Sequence, residues 1–290
     1  MPKFGELPSE ESADPAGTES ASKKIAMDAV LAMVQRAVPQ ELRKVDDEGL
    51  EIRRKTLAGL PYLPGNDLRG VLDYAGKDGG LLMVKTEEIV GSVSPAFRDW
   101  STEYEGRKGR IAAVAKALIH PTEDSLERVF HLGKPNEQIK LKKVSGPGGD
   151  MFFADDGTHR VAGAKLAKTP EIPAHVEDMS ELREVRTTDA VLRDEWEARI
   201  EKHLIQGRVE TSVTGKNSPV YTLFIHRQVL PWMHLPQSKL VKVSKFYEQQ
   251  YPDSLGKLGV PKEIFTNSVA MNYYLAGRWN EYEKDVLQRD

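Results

Sequence analysis

A run of six residues, 155–160, combines two carboxylates, a glycine, a hydroxyl, an imidazole and a guanidinium. The apolar segment 151–154 precedes this run and an alanine-rich segment follows it, so we expect a turn between a strand and a helix. The first amide groups of a helix have no acceptor within the helix, and the helix dipole adds partial positive charge there. The run therefore predicts a binding site for an anion such as phosphate.

Four residues of this run are the predicted phosphate ligands. Gly157 allows the backbone to bend sharply, and Thr158, like Asp156, is a candidate cap for the helix that follows. His159 and Arg160 add hydrogen-bond donors on the first helical turn. The guanidinium of Arg160 is the better phosphate ligand of the two, because its planar fork can bind two oxygens at once.

Two carboxylates stand at the start of the run. Asp155 and Asp156 offer oxygen ligands directly before the predicted phosphate ligands. Mg²⁺ prefers oxygen ligands and is commonly shared between carboxylates and phosphates. We therefore expect Asp155 and Asp156 to hold Mg²⁺ beside a bound phosphate.

Three predicted elements position the turn. Residues 151–154 form a short apolar segment, which favours a buried strand. Residues 158–168 are rich in alanine and contain no proline, which favours a helix that Pro170 ends. Residues 172–176 predict a second strand. The whole segment is therefore expected to form a strand–turn–helix–strand unit.

The same segment resembles a known superfamily. The residues Asp-Gly-Thr-His-Arg at 156–160, the alanine-rich helix and the segment Ile-Pro-Ala-His-Val at 172–176 are similar to the ParB/sulfiredoxin-like fold. Its members often carry a D-G-x-H-R turn, an alanine-rich helix and an I-P-x-x-V strand. Residues 84–93 resemble the first strand of that fold and the turn after it, so the resemblance covers roughly residues 80–178. It implies a mixed α/β core with a nucleotide site, in which the turn holds the phosphates.

The resemblance also suggests catalytic residues. In the kinase branch of the superfamily a glutamate near the first strand is associated with activation of the substrate hydroxyl, which implies Glu87 or Glu88 as a general base. Adjacent glutamates at the end of a strand are also typical of a solvated surface. His159 is a further catalytic candidate within the turn. The superfamily includes DNA-partition CTPases, sulfiredoxins, free-serine kinases and many uncharacterised bacterial and phage proteins, so the fold alone does not decide the activity.

Two branches of the superfamily fit the sequence poorly. Sulfiredoxin chemistry needs a cysteine in the phosphate turn, where this chain has Thr158, and the chain contains no cysteine. DNA-partition proteins should carry a helix-turn-helix module after the turn, and its pattern of short, glycine-separated apolar helices is not found here. The absence of cysteine also excludes disulfides and thiolate metal sites.

Composition narrows the class of protein. The 290-residue chain is 39% hydrophobic and 29% charged, with a formal net charge of −3, which excludes a chain-wide basic surface for nucleic acid. No apolar run is long enough to span a membrane, and no secretory signal is visible, so we expect a cytoplasmic protein without membrane contact. The histidines show no H-E-x-x-H spacing, and no G-x-S-x-G motif is present.

The predicted fold class is α+β. It comprises a ParB/sulfiredoxin-like mixed α/β core with a helical N-terminal extension and a C-terminal α+β region. The predicted divisions are a disordered acidic tail at 1–22, a helical extension at 23–78, the core at 79–178, a linking helix at 179–208, and a hairpin with helices at 209–290.

Local patterns add four expectations. The aromatic loop 91–104 either stacks on a base or, as we favour, covers the edge of the core. Basic residues at 107–110 open a predicted helix, where they oppose its dipole unless a phosphate or an acidic partner lies nearby. The lysines of the predicted strand 139–144 are expected to face solvent. Residues 181–203 and 261–276 each predict a helix.

Three functions remain open from the sequence. The first is a Mg²⁺-dependent phosphotransferase or nucleotide phosphohydrolase, using ATP or CTP and, for transfer, a small hydroxyl compound as acceptor. The second is a nucleotide-gated or DNA-associated regulatory module without turnover. In the third, Asp156, His159 and Arg160 only bond the turn to its neighbours. The oligomeric state is not predicted.

Overall fold

The computed structural model describes residues 28–103, 106–132, 134–180, 184–213 and 218–287. The predicted acidic tail and the tip of the predicted C-terminal hairpin lie outside these residues. The described chain has an α+β fold, as the sequence predicts. No helix within the described residues is both long enough and apolar enough to cross a membrane.

A six-stranded mixed sheet forms the centre of the molecule, with strand order β1-β3-β5-β4-β6-β2. Strands β3 and β5 are parallel, as are β4 and β6, whereas β4 pairs with β5 and β2 pairs with β6 in antiparallel fashion. The strands are β1 (Leu63–Pro64), β2 (Lys77–Lys85), β3 (Ile89–Ser92), β4 (Lys140–Ser145), β5 (Asp150–Asp156) and β6 (Glu171–Asp178).

Helices cover one face of this sheet. Their apolar sides and the sheet residues that face them form a single core, to which α1 contributes Val30 and Val34 and α4 contributes Ile111. The helices of this layer are α1 (residues 28–37), α2 (Asp47–Arg54), α4 (Arg110–Ile119), α5 (Glu123–Phe130) and α6 (Thr158–Leu166), while the short α3 (Arg69–Leu72) packs on the opposite face.

The C-terminal region covers the opposite face. It holds a three-stranded antiparallel sheet of order β7-β9-β8 and a group of helices, which share a second core with the central sheet. Its elements are β7 (Glu184–Thr187), α7 (Ala190–Glu201), β8 (Ile205–Val213), β9 (Pro219–Gln228), α8 (Gln237–Gln250), α9 (Glu263–Thr266), α10 (Ser268–Leu275) and α11 (Trp279–Tyr282).

Strand β5 shows why the sheet has a core on each side. Successive side chains of a strand point to opposite faces. Phe152 and Ala154 therefore enter the core beneath the helices, whereas Met151 and Phe153 enter the core beneath the C-terminal region. All four are buried, which explains why this segment is continuously apolar rather than alternating.

Two predicted helices differ from the structure. Within 181–203, residues Glu184–Thr187 form strand β7, because Val185 is buried opposite Leu223 of β9. The predicted helix 261–276 is divided into α9 and α10, because Asn267 adopts an extended conformation and its side chain accepts hydrogen bonds from Val269 N and Ala270 N. In both places a tertiary contact or a cap overrides the helical pattern.

The lysines of β4 are less solvated than predicted. The amine of Lys142 donates to the carbonyl of Leu72 at 2.6 Å and lies 3.7 Å from the carboxylate of Glu177. Lys143 lies 2.6 Å from Asp178. Both side chains therefore join neighbouring elements instead of pointing freely into water.

Candidate functional site

The predicted phosphate turn joins β5 to α6. Gly157 has a φ of +80°, a conformation that favours glycine. A Cβ atom at this position would lie 2.9 Å from Nη2 of Arg160. Glycine is therefore required both by the backbone and by the guanidinium that packs against it.

Neither predicted cap occupies the start of α6. Among the described residues no side chain caps this helix. Asp156 instead accepts a hydrogen bond from Gly157 N at 2.6 Å, and the hydroxyl of Thr158 lies 3.0 Å from that of Ser92 on β3. Since no described side chain accepts from the first amide groups of α6, these groups remain available to an anion.

A cavity of about 260 Å³ opens at this helix end. Besides the turn, its walls include Arg110, the first residue of α4, and Arg107 shortly before that helix. Two residues from the loop after β3, Ser94 and Phe97, also line the cavity. Both arginines are exposed, and neither forms a salt bridge within the described residues. The cavity thus combines two guanidinium groups with a helix N-terminus.

Glu103 explains how basic residues can open α4. Its carboxylate accepts hydrogen bonds from Gly109 N at 2.8 Å and from Ile111 N at 2.7 Å, and it lies 3.8 Å from Nε of Arg54. The acidic partner expected from the sequence is thus a residue of the chain itself. Glu103 binds backbone amide groups at the start of α4. The side chains of Arg107 and Arg110 therefore stay available at the cavity.

His159 is buried at the base of the cavity. Its ring packs edge-on against Phe97, with 5.1 Å between the ring centroids. Burial lowers the pKa of His159, and the positive charges of Arg110 and Arg107 lower it further, while Glu103 acts in the opposite direction. The lowered pKa favours the neutral imidazole, which contributes a ring nitrogen rather than a positive charge to the site.

Arg160, the strongest predicted phosphate ligand, is bound to main-chain carbonyls. It donates to the carbonyl oxygens of Glu137 at 2.6 Å, of Gln138 at 3.4 Å and of Val129 at 3.4 Å. Only 11% of its side chain is exposed. The guanidinium lies in the cavity wall, where it ties α6 to the segment before β4.

Asp155 and Asp156 are exposed at the rim of the cavity. Within the described residues no group of three or more histidine, aspartate or glutamate side chains is arranged to hold a metal ion. Mg²⁺ often takes only one or two protein carboxylates and completes its coordination with phosphate oxygens and water. The role of Asp155 and Asp156 as Mg²⁺ ligands therefore stays a prediction.

The structure does not bring Glu87 and Glu88 to this cavity. They lie between β2 and β3, at the amino end of β3, whereas the turn lies at the carboxyl end of the parallel strand β5. Glu88 lies 3.2 Å from the amine of Lys85. Glu87 lines a different cavity near the C-terminal end of α6. The predicted general bases and the predicted phosphate ligands are therefore separated by the length of α6.

The sequence pointed to some residues of the cavity and missed others. The basic residues at the start of α4 were recognisable because they oppose the helix dipole. The aromatic loop was recognisable too, and its Trp100 is buried in the core while Phe97 lines the cavity. Glu103 and Ser94 were missed, since nothing in their sequence context indicates which backbone groups or cavity they reach.

Comparisons of the chain with protein-family models, with curated proteins and with solved structures found no match.

Proposed function

We propose that the chain binds the phosphates of a nucleoside triphosphate, ATP or CTP, together with Mg²⁺, in the cavity at the start of α6. The observation that carries this proposal is the convergence of Arg107 and Arg110 on an uncapped helix N-terminus. Guanidinium groups bind phosphate oxygens in pairs, and the helix dipole adds to their attraction. The resemblance of the turn to the ParB/sulfiredoxin-like superfamily supports the same ligand class.

Each residue has a separate part in this proposal. Arg107 and Arg110 neutralise phosphate charge, and the backbone at Gly157 and Thr158 positions the phosphate at the helix end. Asp155 and Asp156 would hold Mg²⁺, which neutralises further phosphate charge when bound. Arg160 keeps the turn in place through its carbonyl contacts.

Phosphotransfer or hydrolysis is the activity that we propose for this site. Phosphoryl transfer depends mainly on positioning and charge neutralisation, both of which the cavity offers. Within the described residues the groups lining the cavity that can accept a proton are the carboxylates of Asp155 and Asp156 and the imidazole of His159, so the proton acceptor for the attacking hydroxyl or water would be one of these. A small hydroxyl compound would be the acceptor in the transfer reaction.

A specific observation favours the second candidate function, a nucleotide-gated module without turnover. Glu87 and Glu88 lie away from the cavity, and an Asp155–Asp156 pair that holds Mg²⁺ has less freedom to accept a proton. Association with DNA gains no such support. The β4 lysines bind carbonyls and carboxylates, and the net charge of the chain is −3.

Calorimetry and a turnover assay test this function together. Titration of the full chain with ATP, CTP and pyrophosphate, each with and without Mg²⁺, is expected to show binding that Mg²⁺ strengthens. Release of phosphate, or its transfer to a small hydroxyl compound, would establish the enzyme, and binding without turnover would establish the module. Absence of binding for every compound at millimolar concentration would refute both.

A further inference from the structure

A larger cavity, of about 540 Å³, lies at the other end of α6. Its walls come from the segment before β1, the turn after β2, the end of α6, the start of β6 and the end of α8. Its volume lies within the range of ordinary small-molecule sites. Neither the phosphate turn nor its arginines contribute to it, so its ligand is independent of the proposed nucleotide.

The amine of Lys165 is the central feature of this cavity. It donates a hydrogen bond to the carbonyl of Thr86 and lies 4.9 Å from the centre of the Trp100 ring. Within the described residues it forms no salt bridge with a carboxylate. A buried ammonium group normally has a counter-ion, because removing its charge from water is costly. Lys165 therefore lacks a counter-ion among the described residues, and an anionic ligand can supply one.

Thr169 provides a second polar group in the same wall. It is fully buried, and its hydroxyl oxygen has no hydrogen-bond partner among the described residues. That hydroxyl has no accessible surface, so it belongs to the interior of the wall and is not a contact for a ligand. The remaining wall includes apolar surface from Leu60, Pro61 and Pro170.

We propose that this cavity binds a small monocarboxylic acid with an apolar body. Its carboxylate accepts a hydrogen bond from the amine of Lys165, and its body packs against the apolar wall. A single negative charge matches the single buried ammonium group. Glu87 and Glu171 also line the cavity, and they repel a ligand with a second negative charge such as a phosphate ester.

The pH dependence of binding follows from the state of Lys165. Burial lowers its pKa to about 8, and the negative charge of Glu87 opposes this shift. The carboxylate binds the protonated amine, which the free protein loses above that pH, so affinity falls as the pH rises from 7 to 9.5. The other charged groups at the cavity are Lys85 at the end of β2, Glu87 in the turn after it, Lys168 after α6 and Glu171 from β6, while α8 contributes the neutral Gln250.

Titration calorimetry with hexanoate and benzoate on the full chain tests the proposal. We expect both acids to bind, and Lys165→Met to weaken binding by at least about tenfold, as is typical when a charged hydrogen bond is lost. Lys168→Met is the matched control, because Lys168 lines the same cavity but is exposed. The affinity of this variant for both acids should stay within about twofold of wild type. The Arg107→Ala/Arg110→Ala double variant should bind hexanoate as wild type does, whatever its effect on nucleotides.

Four outcomes would overturn the proposal. The first two are no binding of either acid at millimolar concentration, and an affinity of folded Lys165→Met equal to that of wild type. The other two are displacement of hexanoate by inorganic phosphate, and binding of the neutral isostere hexanamide that equals binding of hexanoate. If Lys165→Met fails to fold, the pH profile of wild type decides. An affinity for hexanoate that does not change between pH 7 and 9.5 would exclude Lys165 as the ligand.

Discussion

Arg160 and Arg110 both belong to the walls of the cavity at the start of α6, but their guanidinium groups make different contacts. Arg160 follows the turn directly in sequence, yet three main-chain carbonyls hold its guanidinium in the cavity wall. Arg110 lies on another helix, and its side chain lines the open cavity. The sequence identified the turn, but it could not show which guanidinium lines the open cavity, because that depends on how α4 packs on α6 and on where the segment 129–138 passes.

The role of Arg160 can be tested through stability. Arg160→Ala removes hydrogen bonds to Glu137 and Gln138 and leaves their carbonyls without that donor. We expect the free energy of unfolding to fall by about 2 kcal/mol, measured by urea denaturation. Arg69→Ala is the control, since Arg69 is 64% exposed and forms only a surface pair with Asp73. Its effect should stay within about 0.5 kcal/mol. Equal stability of Arg160→Ala and wild type would contradict the structural role.

At the scale of elements, the strand–turn–helix–strand unit was predicted well. Its strands and helix appear as β5, α6 and β6, because apolar runs, alanine content and Pro170 act locally. Strand β7 was not predicted, since the alternation in Glu184–Thr187 is too short to outweigh a helical context without its partner β9. The cap of α4 was missed for a similar reason. Glu103 lies six residues before Gly109, and only the folded loop brings its carboxylate to the helix.

The cap of α4 gives a prediction at this scale. Glu103→Ala removes the acceptor of two backbone amides and a carboxylate 3.8 Å from Nε of Arg54. We expect a loss of about 1–2 kcal/mol in the free energy of unfolding, as for other helix caps. Glu103→Gln keeps one side-chain oxygen and should lose less. If the two variants were equally stable, or as stable as wild type, the cap would not contribute as described. Thermal and urea unfolding of the three proteins provide the comparison.

At the scale of the whole molecule, the central sheet carries a core on each face. Helices bury one face, and the C-terminal region buries the other, with Tyr247 of α8 reaching the β4–β5 hairpin. The sequence does not indicate that a tyrosine about 100 residues later binds this hairpin, because such a contact has no local pattern. The hairpin leads into β5, so the C-terminal region supports the strand that ends at the turn.

Tyr247→Phe tests this connection. The Tyr247 hydroxyl accepts from Gly148 N at 2.7 Å and Gly149 N at 2.9 Å, and donates to Gly149 O at 3.0 Å. Tyr247→Phe removes the hydroxyl that binds these two amides and this carbonyl. We expect a decrease of about 2 kcal/mol in the free energy of unfolding. Tyr273→Phe is the control, because its hydroxyl forms no hydrogen bond within the described residues. A change no larger than that of the control would show that the contact does not stabilise the fold.

The measurement that tests the central claim most directly is a thermal-shift comparison of wild type, Arg107→Ala/Arg110→Ala and Lys108→Ala. Each protein is heated with ATP, CTP or pyrophosphate, with and without Mg²⁺. Lys108 lies between the two arginines in sequence but does not line the cavity, so it controls for the loss of positive charge. A ligand at 100 times its dissociation constant stabilises a protein by about 2.7 kcal/mol, which gives a measurable rise in melting temperature.

We expect at least one Mg²⁺–nucleotide to stabilise wild type and Lys108→Ala but not the double arginine variant, with all three unliganded proteins melting at similar temperatures. Equal stabilisation of the double variant, or no stabilisation of wild type by any of the compounds, would contradict a phosphate site at the start of α6.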